Sequence, residues 1–312
     1  MKTAFTRSLF ITGMLCLGAC TASKHANLSS AAGNYCKPTV QYTYHSQYLP
    51  QADLQVALQG DTGLTGRFSE HDLLIANAIG VLPLLRDVIR LKQQAGSDTR
   101  LERAVLYRKI HNRLLVASTE ISSLVAELDC EGERADQLAT YLDGRDQRRI
   151  RNLTLLSIVA GAAATVATAF LTDENAEKIV GIGGGLVSAG LGGVAAFSSN
   201  KSVPFVHKRN LLTDIWSQAE QSSMYSPFIW YVLNEKLFSN SAETFIRHNI
   251  RQRWQEYVLQ DATDEQQQLY FGPGGNYHSD DLHARANMLN QLQASILSIN
   301  QDLQSLLSNL PD

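Results

Sequence analysis

Along residues 107–142 the apolar positions advance in alternating steps of three and four. Tyr107, Ile110, Leu114, Ala117, Ile121, Leu124 and Leu128 begin a seam, and Ala135, Leu138 and Leu142 continue its register after Glu131. That period predicts one helix packed as a coiled coil over about five heptads. Gly132 and Gly144 are where it is expected to bend or break, because a helix-interior glycine costs about 1 kcal/mol relative to alanine. The C-terminal segment repeats the signal. Leu282, Leu289, Ile296, Leu303 and Leu310 lie seven apart, with Leu292, Ile299 and Leu306 at the intervening position and Arg285 as its exception. Its flanking positions are mostly Gln, Ser, Asn and Ala, so charge does little to specify a partner. The two seams read as core stripes of one intramolecular bundle, with an intermolecular coiled coil as the alternative.

Ser69 is a predicted N-cap, with Glu70 and Asp72 in the first turn where negative charge suits the helix dipole. That helix is expected to run to Gln94, kinked at Pro83, before the Gly96-Ser97-Asp98 break. Residues 35–68 show no regular period and carry turn signals at Gly60, Gly63 and Gly66. Two further amphipathic stretches, 208–238 and 241–260, bring Trp216, Trp230, Tyr231, Phe245, Trp254 and Tyr257, which read as core.

The centre of the chain departs from this periodicity. Leu153–Leu171 and Ile179–Phe197 are each nineteen residues without a charge, separated by the polar segment 172–178. Each run is about 28 Å long as a helix, close to the thickness of a hydrocarbon core. The short connection predicts an antiparallel helical hairpin. Gly181, Gly185, Ala189 and Gly193 share one face at four-residue spacing, and Gly161, Thr165 and Ala169 repeat the spacing on the first arm. These are the expected packing positions. Gly184, Ser188, Gly192 and Ala196 form a second small stripe beside the first. Small residues at that spacing let helix backbones approach closely in lipid. Arg145, Arg148, Arg149 and Arg151 precede the hairpin, and Lys201, His207, Lys208 and Arg209 follow it, while Asp173, Glu174 and Glu177 face only Lys178 at its tip. Basic ends suit anionic headgroups, with the tip projecting across. The competing reading buries the hairpin inside a soluble bundle.

Composition narrows the function classes. The 312 residues are 44% hydrophobic and 18% charged, with the shortfall in charge concentrated in 1–20 and 153–197. The formal charge of −3 offers no positive field for nucleic acid. Seven prolines and long stretches without turn residues argue against an all-β sandwich.

The N-terminus reads as an address. Lys2 and Arg7 precede an apolar run from Leu9 to Leu17, too short to span a bilayer, and the segment closes Leu17-Gly18-Ala19-Cys20. This resembles the lipobox of bacterial lipoprotein precursors. The resemblance covers only these twenty-odd residues and implies cleavage before Cys20, whose thiol and amine are then acylated. Three acyl chains exceed the two-signal threshold for stable anchoring. Thr21 stands where an aspartate would retain such a protein at the inner membrane, so the resemblance implies an outer-membrane lipoprotein facing the periplasm if the organism is Gram-negative. Loss of Lys2 and Arg7 takes the formal charge from −3 to −5.

Cys16 leaves with the signal segment and Cys20 is lipidated, so Cys36 and Cys130 remain, an expected disulfide in an oxidising compartment. No CxxC and no cysteine–histidine pair suggests a metal or redox role. The Gly181–Gly193 run lacks the GK[ST] ending of a phosphate loop. His278-Ser279-Asp280-Asp281-Leu282-His283 reads as a helix start capped by Ser279 rather than as a metal site, and the 272–276 glycine-rich segment as a tight loop. Glu120, Glu127 and Asp129 read as solvated faces. No catalytic motif, cofactor, metal or small-molecule substrate is indicated.

These patterns predict an all-α protein, an elongated helical bundle or coiled coil with a central apolar hairpin. Its segments are a signal peptide (1–19), a tether (20–34), an irregular segment (35–68), a coiled-coil region (69–152), the hairpin (153–197) and a C-terminal helical region (198–312). The leading expectation is a non-catalytic, lipid-anchored envelope protein with a structural or assembly role. Its hairpin would engage a membrane, and its heptad helices would bind a second copy or a protein partner. The alternatives are an α-helical pore-forming protein, similar in layout though in no shared motif, and a soluble-bodied periplasmic binding module with the hairpin as core.

Overall fold

The C-terminal heptad helix lies directly on the central one, so each seam is the other's cover. The computed structural model describes residues 35–38, 44–94, 97–197 and 201–310. The signal segment, Cys20 and the tether lie outside the described residues. The fold is all-α apart from one pair of short strands. Four helices lead into it: α1 (Leu54–Ala57), α2 (Thr62–Thr65), α3 (Glu70–Ala78) and α4 (Leu82–Lys92). Asp53, Asp61 and Ser69 cap the first three by accepting from the backbone N–H three residues on. The predicted kinked helix over 69–94 is instead two helices. Gly80 takes φ +72° between them, and a Cβ there would lie 2.5 Å from the Cα of Tyr48. Pro83 sits in the first turn of α4, where a missing N–H costs nothing.

Helix α5 runs unbroken from Ser97 to Phe170, roughly 110 Å at 1.5 Å per residue. It joins the predicted coiled-coil region and the first hairpin arm into one element, with no boundary at 152. Ile110, Leu114, Ala117, Ile121, Leu124, Leu128, Ala135, Leu138 and Leu142 are all buried, and Tyr107 is half-buried. Neither Gly132 nor Gly144 breaks the helix. Gly132 is a contact point: a Cβ there would meet Asn290 Oδ1 at 3.1 Å and Leu289 Cβ at 3.8 Å.

The helix that approaches Gly132 is α11 (Ser279–Leu297), followed after Ser298 by α12 (Ile299–Ser308). Leu282, Leu289, Leu292, Ile296, Ile299, Leu303 and Leu306 are buried; α11 lies on α5, and α12 on α3 and α5. Leu310, predicted as the last seam position, falls beyond α12 and is half-buried. Arg285, the polar exception, is buried as well, donating to Tyr270 O at 2.8 Å and Asn210 Oδ1 at 3.2 Å. The N-cap of α11 is His278, not Ser279, and its N–H bonds Asp281 Oδ2 at 3.1 Å.

Between the hairpin and α11 the chain builds β1 (Val203–Val206), α7 (Leu212–Ser217), α8 (Pro227–Leu233), α9 (Ile246–Tyr257), α10 (Asp264–Phe271) and β2 (Gly274–Tyr277). The strands pair antiparallel, Val203 opposite Tyr277 and Phe205 opposite Gly275. The segment expected to be a tight loop thus supplies β2. Trp230 and Trp254 are buried as predicted, and Trp216 stacks on Phe271 with centroids 4.3 Å apart. Tyr257 is not core; it is exposed at the end of α9.

Cys36 is disulfide-bonded to Cys130 on α5, 94 residues away. Loop-closure entropy assigns such a bridge about 4–5 kcal/mol. Tyr44 donates to Glu120, and the guanidinium of Arg113 lies 4.6 Å from the ring centroid of Tyr48, so the described residues of this N-terminal strap, 35–38 and 44–48, are fastened to α5.

Two histidines clip the C-terminal helices to the rest. His71 on α3 meets Asp302 on α12 at 2.5 Å. His283 on α11 lies between Asp136 at 2.9 Å and Asp143 at 3.0 Å on α5. The Asp302 hydrogen bond raises the pKa of His71. At His283 burial pulls the value down, and bonds to Asp143 and Asp136 more than reverse it. Groups held above their unfolded value of about 6.5 stabilise the fold fully below that pH and lose the contribution as pH rises through the folded values. The urea midpoint is therefore expected to fall between neutral and mildly alkaline pH, and His71→Gln with His283→Gln to flatten that decline. A wild-type midpoint that does not change over this range contradicts the assignment.

A candidate membrane-contact hairpin

Beyond Leu142 helix α5 leaves its cover behind. Its last residues, 153–170, pack antiparallel against α6 (Glu174–Phe197), joined by three residues at the tip. Asp173 Oδ1 accepts from the N–H groups of Asn175 and Ala176 at 2.9 and 3.0 Å, which starts α6, and Lys178 pairs with Glu174 at 2.6 Å. Both arms are long and apolar enough to cross a membrane, by length and composition.

The arms meet on the second small stripe, not on the one expected. A Cβ on Gly184 would lie 2.1 Å from the Cβ of Ala164, so only glycine permits this approach. Gly161 faces Ser188, and Gly192 faces Ser157. Ser157 Oγ donates to Ser188 O at 2.8 Å and Ser188 Oγ to Ser157 O at 3.0 Å, a reciprocal clasp across the two backbones. Of the predicted packing positions, Gly161 is at this contact and Gly181 touches its edge, with a Cβ 3.6 Å from Thr168 Cγ2. Thr165, Ala169 and Ala189 are exposed, and Cβ atoms on Gly185 and Gly193 would meet nothing within 4 Å. The two stripes have equal spacing. What separates them is the serine pair, since two hydroxyls in an apolar region need partners and find them in each other.

The rest of the hairpin surface is bare. Eleven large apolar side chains from Leu155 to Val194 are more than half exposed, including Phe170 at 83% and Leu186 at 70%. The hairpin is therefore not the core of the body. Soluble monomers rarely expose contiguous apolar surface on this scale. Moving those faces from water into lipid is worth on the order of 10 kcal/mol. A tip carboxylate at the bilayer centre costs about 2.5–3.5 kcal/mol on the insertion scale, as a barrier on the way through.

The charges near the hairpin are sorted by the fold. Arg148, Arg149 and Arg151 are exposed on the turns below the apolar band, and Lys201 is exposed where the chain leaves it. Arg145 lies over the ring of Tyr141. His207, Lys208 and Arg209 do not belong to this group, because β1 carries the chain back along α5. Arg209 reaches Glu127 at 2.9 Å, about 36 Å along the helix from Arg151. His207 is buried; burial, Arg285 and Arg134 push its pKa down to about 2, leaving it neutral, with Nε2 bonded to Tyr277 Oη at 2.7 Å.

Two carboxylates expected on solvated faces are also buried. Glu120 and Glu127 line a cavity of about 270 Å³ with Tyr44, Leu124, Arg209 and Ser226. Burial raises the pKa of both. Tyr44 and Arg209 engage them, so they hold the strap and the post-β1 segment to α5. Their seven-residue spacing on the edge of the seam was the available signal. Asp129 is exposed, as read. Among the described residues no three His, Cys, Asp or Glu side chains gather as a metal site, and both nitrogens of His283 are occupied by Asp136 and Asp143. No protein-family model, curated protein or solved structure matches the chain.

The contact geometry makes a paired prediction. Cysteines replacing Ser157 and Ser188 are expected to cross-link within the hairpin, and to keep doing so with Gly185→Leu. Gly184→Leu is expected to abolish the cross-link. Loss of cross-linking in the Gly185 variant instead would restore the first stripe as the interface.

Proposed function

We propose that this chain is a non-catalytic, lipid-anchored envelope protein that engages a bilayer through the hairpin of α5 and α6. The observation that carries the reading is the uncovered apolar hairpin, long enough to span and held together by small residues and a serine clasp. The lipobox resemblance at Leu17-Gly18-Ala19-Cys20 supports acylation of Cys20, and Thr21 supports an outer-membrane destination. Both heptad seams are consumed inside the chain, so a protein partner or second copy would meet the body's outer surface or the hairpin rather than a seam. The role is structural or assembly-related, a body held at a membrane by two kinds of contact.

One observation favours the pore-forming reading. Gly183, Gly185, Gly190 and Gly193 face outward with nothing near them, leaving room for hairpins from several copies to pack side by side in lipid. Release of a trapped dye from vesicles separates the two, since a scaffold binds without leakage.

The test of the membrane reading removes the acyl chains. Cells express Cys20→Ala with a conventional signal-peptidase site in place of the lipobox, and their membranes are extracted with carbonate and urea. Retention in the pellet, lost on Ile182→Asp with Leu186→Asp, is the expected result. Complete extraction of the parent chain as a folded soluble protein would sink the proposal.

A further inference from the structure

The hairpin's charge is segregated by end, and this bears on which lipid it meets. On the outgoing arm the last charge before the apolar band is Arg151, and the next is Asp173 at the tip. On the returning arm the last tip charge is Lys178, and the next is Lys201. Both arms thus change from apolar to basic at the base, whereas the tip carries Asp173, Glu174 and Glu177 against Lys178. A run of arginines on a helix is usually only a solvated face. Here the run sits directly below a bare apolar band, its cations are exposed, and a fourth arrives from the other arm. When the nineteen-residue arms fill the hydrocarbon core, helix rise places Arg148, Arg149 and Arg151 at headgroup depth on the body's side.

We infer that the hairpin selects anionic bilayers, entering from the leaflet whose phospholipid headgroups Arg148, Arg149, Arg151 and Lys201 engage. This rests on the membrane reading above and adds the lipid class and the direction of entry. Phosphodiester headgroups fit because the cations lie next to the apolar band on both arms, an adjacency that a soluble anion would not need. A basic side chain near an anionic surface is worth about fivefold in binding.

The experiment uses the Cys20→Ala chain released by a conventional signal-peptidase site. Binding is measured by flotation with vesicles of phosphatidylcholine alone and of phosphatidylcholine with an equal amount of phosphatidylglycerol. The parent chain is expected to prefer the anionic vesicles by at least about tenfold. The quadruple variant Arg148→Gln, Arg149→Gln, Arg151→Gln, Lys201→Gln is expected to lose that preference and keep its binding to phosphatidylcholine. All four side chains are exposed, and Arg148 also donates to Gly144 O at 2.9 Å, so far-UV circular dichroism of the variant checks that the helix is kept. Equal binding to both vesicle types, or a preference that survives the quadruple change, overturns the lipid assignment and leaves the membrane reading standing. Binding to neither, or binding indifferent to Ile182→Asp with Leu186→Asp, removes both.

Discussion

A helix of 74 residues cannot be stable in one piece unless each length of it has something to bury against, and α5 solves this in two different ways. From Ile110 to Leu142 its seam is covered by α11, α12 and the N-terminal helices. Past a charged stretch over residues 143–152 the heptad stripe gives way to an apolar surface on all sides, touched along one line by α6. The backbone ladder does not change, only the solvent the side chains ask for. The remaining features follow from where that change falls. The disulfide and the strap lie on the covered length, and the His283 clip closes its end. The serine clasp and the glycine contacts lie on the bare one.

The covered length has a polar interior that fixes its register. Arg134 is almost fully buried, paired with Glu131 at 2.6 Å and lying 4.1 Å from the ring centroid of Phe205 on β1. Arg285 answers it from α11. Buried charge of this kind is weak evidence for stability, because desolvation offsets most of the attraction. Its consequence here is positional. The chain leaving the hairpin is turned back along α5 and held there by Phe205, His207 and Arg209, so the bare arms stand clear of the segment that follows them.

Much of this was legible in the sequence. A seven-residue period over five repeats survives any ambiguity of local propensity, so both seams and the all-α class could be read directly. The cysteine pair and the two charge-free runs were equally plain. Four things were not. Gly132 is a weak helix former that faces α11 closely and stays helical in that packing, so tertiary contact overrode propensity. The strand pair is four residues on each side, and Val203 must find Tyr277 across helices α7 to α10, which no local pattern announces. Lys208 and Arg209 are near the hairpin in sequence and far from it in space, because proximity along the chain does not survive the reversal at β1. The choice between the two glycine stripes turned on Ser157, a single residue on the opposite arm.

The central claim is that the bare length of α5 and its partner α6 are solvated by lipid. It is tested most directly by an environment-sensitive fluorophore on Val187→Cys, exposed near the middle of the apolar run on α6, in the Cys20→Ala chain added to vesicles. The account predicts a strong blue shift, with quenching by lipids brominated deep in the acyl chain and little by a water-soluble quencher. A probe that stays water-like and open to aqueous quenching while the protein is folded and vesicles are in excess would contradict it.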